Sequence, residues 1–230
     1  MPTVKVNAIT MYYELQGEGE PLVLIAGLRL DVSDYHGIDS WLAQKYQVLA
    51  FDNRGAGRTD KPDIPYSIEM MADDTAELLQ ALGIRAAHII GISMGGRIAL
   101  ELALQHPELV KKLVLVSTSA RVPKRGWRFR LIEIVTLLPI FKEKYPQPRY
   151  AYLRQRQASG AYNCADRLQE LHLPTLILHG KKDKLAPYYL AEEMRAGIQG
   201  SKIIPFNGGH IFFFMRERQQ FLEAIAQFLG

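Results

Sequence analysis

Short, continuous apolar runs alternate with stretches of helical periodicity along almost the whole chain, and this rhythm restricts the fold more than any other feature. "PLVLIAG", "YQVLAFD", "AAHIIGI", "KKLVLVS", "PTLILHG" and "SKIIPF" read as strands buried on both faces. Between and after them lie "SIEMMADDTAELLQALGI", "MGGRIALELALQHPELV", "PYYLAEEMRAGI" and "RERQQFLEAIAQFL", with apolar residues at helical spacing. Ser67 is placed to cap the first of these helices and Gly83 to stop it. An antiparallel hairpin, "TVKVNAITMYYELQG", turning near Asn7–Ala8, precedes the alternation. Strands alternating with helices build an α/β architecture, here a mostly parallel eight-stranded sheet with helices on both faces. Residues 121–167 break the rhythm, with one or two helices and turns at Pro146 and Pro148. They read as a short helical cap inserted between core segments 1–120 and 168–230.

With 230 residues, 48% of them hydrophobic, the chain can bury one substantial core. Its formal net charge is only +4. The basic excess is concentrated in 121–167, which holds 11 Lys/Arg against 3 Asp/Glu. Aromatic residues do not interleave with a basic groove over any length, which argues against nucleic acid as a partner. A single cysteine, Cys164, excludes an internal disulfide framework and a cysteine zinc site, and fits a reducing, cytoplasmic setting. The N-terminal "MPTVKVNAITMYYELQGEGE" lacks the layout of a signal peptide. The longest apolar stretch, "LIEIVTLLPIF", is too short for a membrane span and is interrupted by Glu133 and Pro139. No metal or organic cofactor is implied, and the chain can be a monomer or a homodimer.

The chemistry begins at "GISMG", where Ser93 stands between Gly91 and Gly95 just after a buried strand and just before a helix. Two readings fit this spacing: a tight joint with an idle serine, or a sharp turn presenting Ser93 Oγ above the sheet edge as a nucleophile. A dinucleotide fingerprint would need glycine where Ser93 stands, and a phosphate-binding loop would need a Gly-Lys-Ser/Thr run that is absent. A serine nucleophile needs a base, and the base needs an acid that fixes its tautomer. Among six histidines, His88 lies inside a strand and reads as core, and His106 sits at a helix end. His36 and His172 have no carboxylate placed to orient them. His179 ends a strand, and a direct role for it stays open. His210, in "PFNGGHIFFF", follows the last strand on a Gly-Gly loop, where site residues of parallel sheets collect. For the acid, Asp183 in "LILHGKKDKLAP" lies in a loop just beyond its strand, either as a solvated turn residue or helix cap or as the partner of His210. The competing loop after "LVLVS" offers Ser117, Thr118 and Ser119 but no carboxylate.

The order Ser93…Asp183…His210, together with "FDNRGAGRTDKP", "GISMGG", "HPELVKKLVLVST", "LHGKKDKLAP" and "GGHIFFF", resembles the α/β-hydrolase fold family, in its esterase, enol-lactonase and C–C hydrolase group. The resemblance covers essentially the whole chain. It implies a catalytic triad of Ser93, Asp183 and His210 and an oxyanion hole made by the backbone N–H groups of Met94 and Leu28. The chain departs from that pattern at two places. The first strand-end motif is Ala26–Gly27 rather than His-Gly, which removes a hydrogen bond that often braces the oxyanion loop, and the cap is short.

Further readings concern the pocket. Asp52, Arg54 and Gly55 read as bracing of a turn. Arg29 follows the expected oxyanion residue, where its guanidinium either meets a substrate carboxylate or lies at the surface. A stripe of Trp127, Leu131, Ile134, Val135 and Leu138 in the cap either faces the site or packs on the core, and an apolar lid favours an apolar acyl or alcohol group. Basic residues in the cap either meet anions or an acidic membrane surface, or form a solvated face. The expected activity is hydrolysis of a small-to-medium, largely apolar carboxylic ester through an acyl-enzyme. A lactone, thioester or C–C substrate, or a ligand-receptor role that keeps the triad, are the alternatives.

Overall fold

The computed structural model describes residues 2–123, 144–214 and 216–230. Eight strands form one sheet: β1 (Thr3–Val6), β2 (Ile9–Gln16), β3 (Glu20–Ile25), β4 (Tyr46–Phe51), β5 (Ala87–Ile92), β6 (Val110–Val116), β7 (Thr175–Gly180) and β8 (Lys202–Phe206). Their spatial order is β1-β2-β4-β3-β5-β6-β7-β8. The hairpin β1–β2 and the β2–β4 pair are antiparallel, and every pairing from β4 through β8 is parallel. Asn7 turns the hairpin with φ 51°, a left-handed value that asparagine tolerates.

Among the described residues the α-helices are α1 (Ile38–Leu42), α2 (Ile68–Ala81), α3 (Met94–Gln105), α4 (Arg149–Ala161), α5 (Tyr188–Gly197) and α6 (Arg218–Leu229). Ser67 caps α2 by accepting a hydrogen bond from Met70 N–H at 3.1 Å, and Gly83, just past its end, has φ 71°. Alternation along β3 divides the core in two. Val23 and Ile25 pack with α2, α3 and α5, whereas Leu22 and Leu24 pack with α1 and α6. Both faces of the sheet are therefore covered, which is why its strands are continuous apolar runs. In the interval between β6 and β7, α4 follows Pro148, and an isolated bridge joins Arg121 to Asn163. The stripe Trp127, Leu131, Ile134, Val135 and Leu138 lies outside the described residues.

The chain winds outward from β3 in both directions, to β4 on one side and to β5 on the other. The C-terminal ends of β3 and β5 flank this reversal, and a crevice opens there in parallel sheets.

Candidate active site

Ser93 leaves β5 at this crevice. Its backbone has φ 55° and ψ −114°, a strained conformation for a residue with a Cβ. Surrounding contacts over-determine it: Ser93 N–H donates to Val116 O at 2.9 Å, and Ser93 O accepts from Gly96 N–H at 3.0 Å and from Thr118 Oγ1 at 2.6 Å. The flanking glycines are steric necessities. A Cβ on Gly91 would stand 2.6 Å from Gly96 Cα, and one on Gly95 would overlap the carbonyls of Ile25 and Ala26. Strand and helix touch here, and the joint holds Ser93 Oγ outward.

His210 arrives from the loop after β8. Glu217 fixes that loop by accepting from Asn207 N–H and Gly208 N–H, both at 2.7 Å. Gly180, at the end of β7, has no side chain to keep the Gly208–Gly209 backbone away. Asp183 lies three residues further on. Its Oδ1 accepts from the N–H groups of Leu185 and Ala186 at 2.8 and 2.9 Å. Its Oδ2 accepts from His210 Nδ1 at 2.7 Å, and His210 Nε2 stands 3.0 Å from Ser93 Oγ. The hydrogen-bond network assigns the tautomer: Nδ1–H faces the carboxylate, which leaves Nε2 to accept from the serine hydroxyl.

Burial pushes the Asp183 carboxyl up, but hydrogen bonds from His179 and His210, the nearby imidazole charge and the Ala186 amide outweigh it. The group is held well below the ordinary carboxylate value of 3.8. His179, fully buried, places Nε2 2.7 Å from Ala186 O and 3.4 Å from Asp183 Oδ2. It therefore backs the acid and does not line the cavity.

The other histidines lie elsewhere. His88 is buried in β5 near Glu20, and burial lowers its pKa. His106 closes α3 and faces Asp73. His36 meets the Phe214 ring edge-on. Asp52 and Arg54 brace the turn after β4, as the sequence suggests. Asp52 accepts from Val32 N–H and from Arg58, while Arg54 makes a paired contact with Asp74 at 2.7 Å.

Met94 is the first residue of α3, so its N–H has no partner within the helix and points from the helix N-terminus. Gly27 brings the β3 loop against Ser93: a Cβ there would lie 3.4 Å from Ser93 Cβ. Leu28 and Arg29 follow on the cavity wall. Two hydrogen bonds hold the loop that runs through Ala26 and Gly27. Asn53 Nδ2 donates to Ala26 O at 3.0 Å, and Arg29 N–H donates to Gln155 Oε1 at 3.2 Å. Arg29 is half-buried on the cavity wall, with its guanidinium carbon 6.0 Å from the Tyr152 ring centre.

Ser93, Met94, Leu28, Arg29 and His210 open onto one cavity of about 1140 Å³. Arg97, Tyr152, Arg156, Leu185, Ile211 and Phe213 also line it. Arg97 joins three segments of the wall, donating to Ser119 O and Oγ and to Ser159 Oγ. Sequence spacing gave no signal for Thr118, Gln155, Arg97 or Glu217, because each acts through a partner distant in the chain. Among the described residues, no cluster of three or more His, Cys, Asp or Glu side chains could hold a metal ion. No described helix is long and apolar enough to cross a membrane.

A family model for the alpha/beta hydrolase fold matches residues 20–156. The chain belongs to the α/β-hydrolase fold family. It is 31% identical to RutD of Azorhizobium caulinodans, which carries a carbamate-hydrolase name, over 249 aligned positions covering 92% of each chain. It is 28% identical to the AB hydrolase superfamily protein YisY of Bacillus subtilis, over 96% of this chain and 95% of that one. Among solved structures, it superposes on the esterase EaEST of Exiguobacterium antarcticum with a TM-score of 0.86, 26% identity and 98% coverage of both chains. The enol-lactonase of Burkholderia xenovorans LB400 shares the fold with a TM-score of 0.88, at 24% identity and 99% coverage of both. This α/β hydrolase thus has hydrolase relatives across almost its full length.

Proposed function

We propose that this α/β hydrolase is a serine carboxylesterase that cleaves small-to-medium, largely apolar esters through an acyl-enzyme. The observation that carries the reading is the continuous hydrogen-bonded chain Ser93 Oγ–His210–Asp183, at 3.0 and 2.7 Å, opening onto the cavity. In the proposed mechanism Ser93 Oγ attacks the ester carbonyl carbon as His210 Nε2 takes its proton. Asp183 holds the ring and stabilises the imidazolium. The backbone N–H groups of Met94 and Leu28 receive the developing oxyanion. His210 then protonates the leaving alkoxide, the alcohol departs, and a water deprotonated by His210 attacks the acyl-enzyme. Collapse of the second tetrahedral intermediate releases the carboxylic acid and returns the proton to Ser93.

The inserted segment 121–167 is in this reading a short cap whose α4 lines the cavity, and Arg29 lies in the oxyanion loop. The esterase neighbour at 26% identity supports an ester substrate. A lactone is the second reading, favoured by the likeness to Est816, a solved N-acyl homoserine lactone degrading enzyme, at 25% identity and a TM-score of 0.84.

The test is hydrolysis of p-nitrophenyl esters and acyl lactones by wild type and Ser93→Ala. Wild type turns over many times and a fluorophosphonate probe labels Ser93, whereas Ser93→Ala loses both while staying folded. Labelling of Ser93→Ala equal to wild type would sink the nucleophile assignment. A wild type that stops near one turnover with an adduct on Ser93 or His210 would point to a ligand receptor instead.

A further inference from the structure

The turn carrying the Leu28 amide has an unfavourable backbone. It runs from Gly27 to Leu30, closed by Leu30 N–H on Gly27 O at 3.3 Å, and its third residue, Arg29, has φ 74°. A positive φ at that position is the mark of a type II turn, which favours glycine or asparagine there. A type I turn would relieve Arg29, and the two types differ by a flip of the central peptide, here the one joining Leu28 to Arg29. Something must hold that peptide against the flip.

Gln155 is placed to do so. It is fully buried on α4, and its Oε1 accepts from Arg29 N–H at 3.2 Å and from Gln147 Nε2 at 2.9 Å. Its Nε2 donates to Arg54 O at 2.8 Å, which fixes which end of the amide faces the turn. Gln147 Nε2 also donates to Gly55 O at 2.6 Å, tying the same network to the braced turn after β4. A side chain that accepts on one side and donates on the other, without charge, meets all these demands. A near-isosteric apolar side chain in its place would leave no room for a water to bridge the same groups. We propose that Gln155 is a positioning residue for the oxyanion loop: by holding the 28–29 peptide through Arg29 N–H it keeps the Gly27–Leu30 turn in its type II form, and so keeps the loop that carries Leu28 N–H seated against Ser93. It thereby makes α4, which lies in the inserted segment, part of the machinery that stabilises the transition state. The inference rests on the serine-hydrolase reading and goes beyond it by giving α4 a role in rate.

Two near-isosteric variants of the full chain test it. Gln155→Met keeps the shape and removes both polar ends. Gln155→Glu keeps an acceptor for Arg29 N–H but loses the donor to Arg54 O. Measured quantities are kcat and KM on a p-nitrophenyl ester, the inhibition constant of a trifluoromethyl ketone, the pH profile and Tm. A displaced donor costs less than the hundredfold or more of a removed one, so Gln155→Met should lower kcat about tenfold. Trifluoromethyl ketone affinity should weaken in the same proportion, with KM within about threefold and the pH profile unmoved, because His210 and Asp183 are untouched. Gln155→Glu should recover most of kcat although its Tm is no higher than that of Gln155→Met. Should Gln155→Met not accumulate as folded protein, Gln155→Asn, one methylene shorter, replaces it with the same direction of effect. The proposal is overturned if kcat of the apolar variant stays within about twofold of wild type, or if both variants lose kcat in step with Tm. A wild type that neither hydrolyses esters nor is labelled at Ser93 overturns the hydrolase reading itself. Normal wild-type turnover with an indifferent Gln155 overturns only the positioning role.

Discussion

Asp183 is almost sealed from water, at 5% exposure, yet its carboxylate stays charged because every direction it faces offers a donor. Two backbone N–H groups take one oxygen, and His210 takes the other with His179 close behind. Asp183→Asn keeps an oxygen for the two amides but turns an NH2 group towards His210. Nδ1 must then accept, its proton moves to Nε2, and Nε2 can no longer take the Ser93 proton. The expected loss in kcat is about 10⁴-fold, measured on any ester the wild type turns over. The same carboxylate sets an acid limit on stability. Its folded-state pKa lies well below its ordinary 3.8, so its contribution is fully present above that ordinary value and is lost as pH falls through the folded value. Chemical denaturation from pH 6 down towards pH 2 should show wild type losing stability faster than Asp183→Asn below about pH 4. Parallel curves would mean that other carboxylates set the acid limit.

At the level of elements, the β5–α3 joint depends on closeness. A Cβ on Gly95 would meet Ile25 O at 2.1 Å and Ala26 O at 2.6 Å, both of them backbone atoms of the neighbouring strand's end. Backbone cannot swing aside as a side chain can, so Gly95→Ala should destabilise the protein by about 3 kcal/mol, at the upper end for overpacking. It should also dislodge the loop that carries Leu28. Urea unfolding followed by circular dichroism measures the loss, and a change below about 1 kcal/mol would show that strand and helix can part. This joint was legible in the sequence because glycine, apolar run and helical period all sit within a few residues of one another. The alternation of strands and helices, the Ser67 cap and the hairpin turn at Asn7 were legible for the same reason. Gln155, Glu217 and Thr118 were not, since each holds a group 9 to 126 residues away and belongs to no periodic pattern. The departure from His-Gly at Ala26–Gly27 was visible in the sequence, whereas the contacts that Asn53 and Gln155 make with this loop become visible only when the chain is folded.

Across the whole molecule, the sheet order turns three remote loops into one wall. Ser93 follows β5, Asp183 follows β7 and His210 follows β8, and all three strands run parallel, so their C-terminal ends lie on one edge. The cavity above that edge, about 1140 Å³, is somewhat larger than the usual small-molecule site of roughly 300–1,000 Å³. An acetyl group leaves most of it unfilled. Each further methylene that finds apolar wall adds up to ~0.8 kcal/mol, roughly fourfold in kcat/KM, until contact stops growing. Leu153, Leu185, Ile211 and Phe213 supply apolar wall, while Arg29, Arg97 and Arg156 make the rest polar, so growth should end before the volume is full. The expected optimum is an acyl chain of about six to eight carbons. Leu153, half-buried on α4, projects into this space, and Leu153→Trp should shorten it. Measured across a p-nitrophenyl ester series, that variant should keep the acetyl rate, lose the rise along the chain and move the optimum to four carbons or fewer, about two methylenes down. Superimposable profiles for wild type and Leu153→Trp would place the acyl chain elsewhere, and the α4 wall would then face the leaving alcohol.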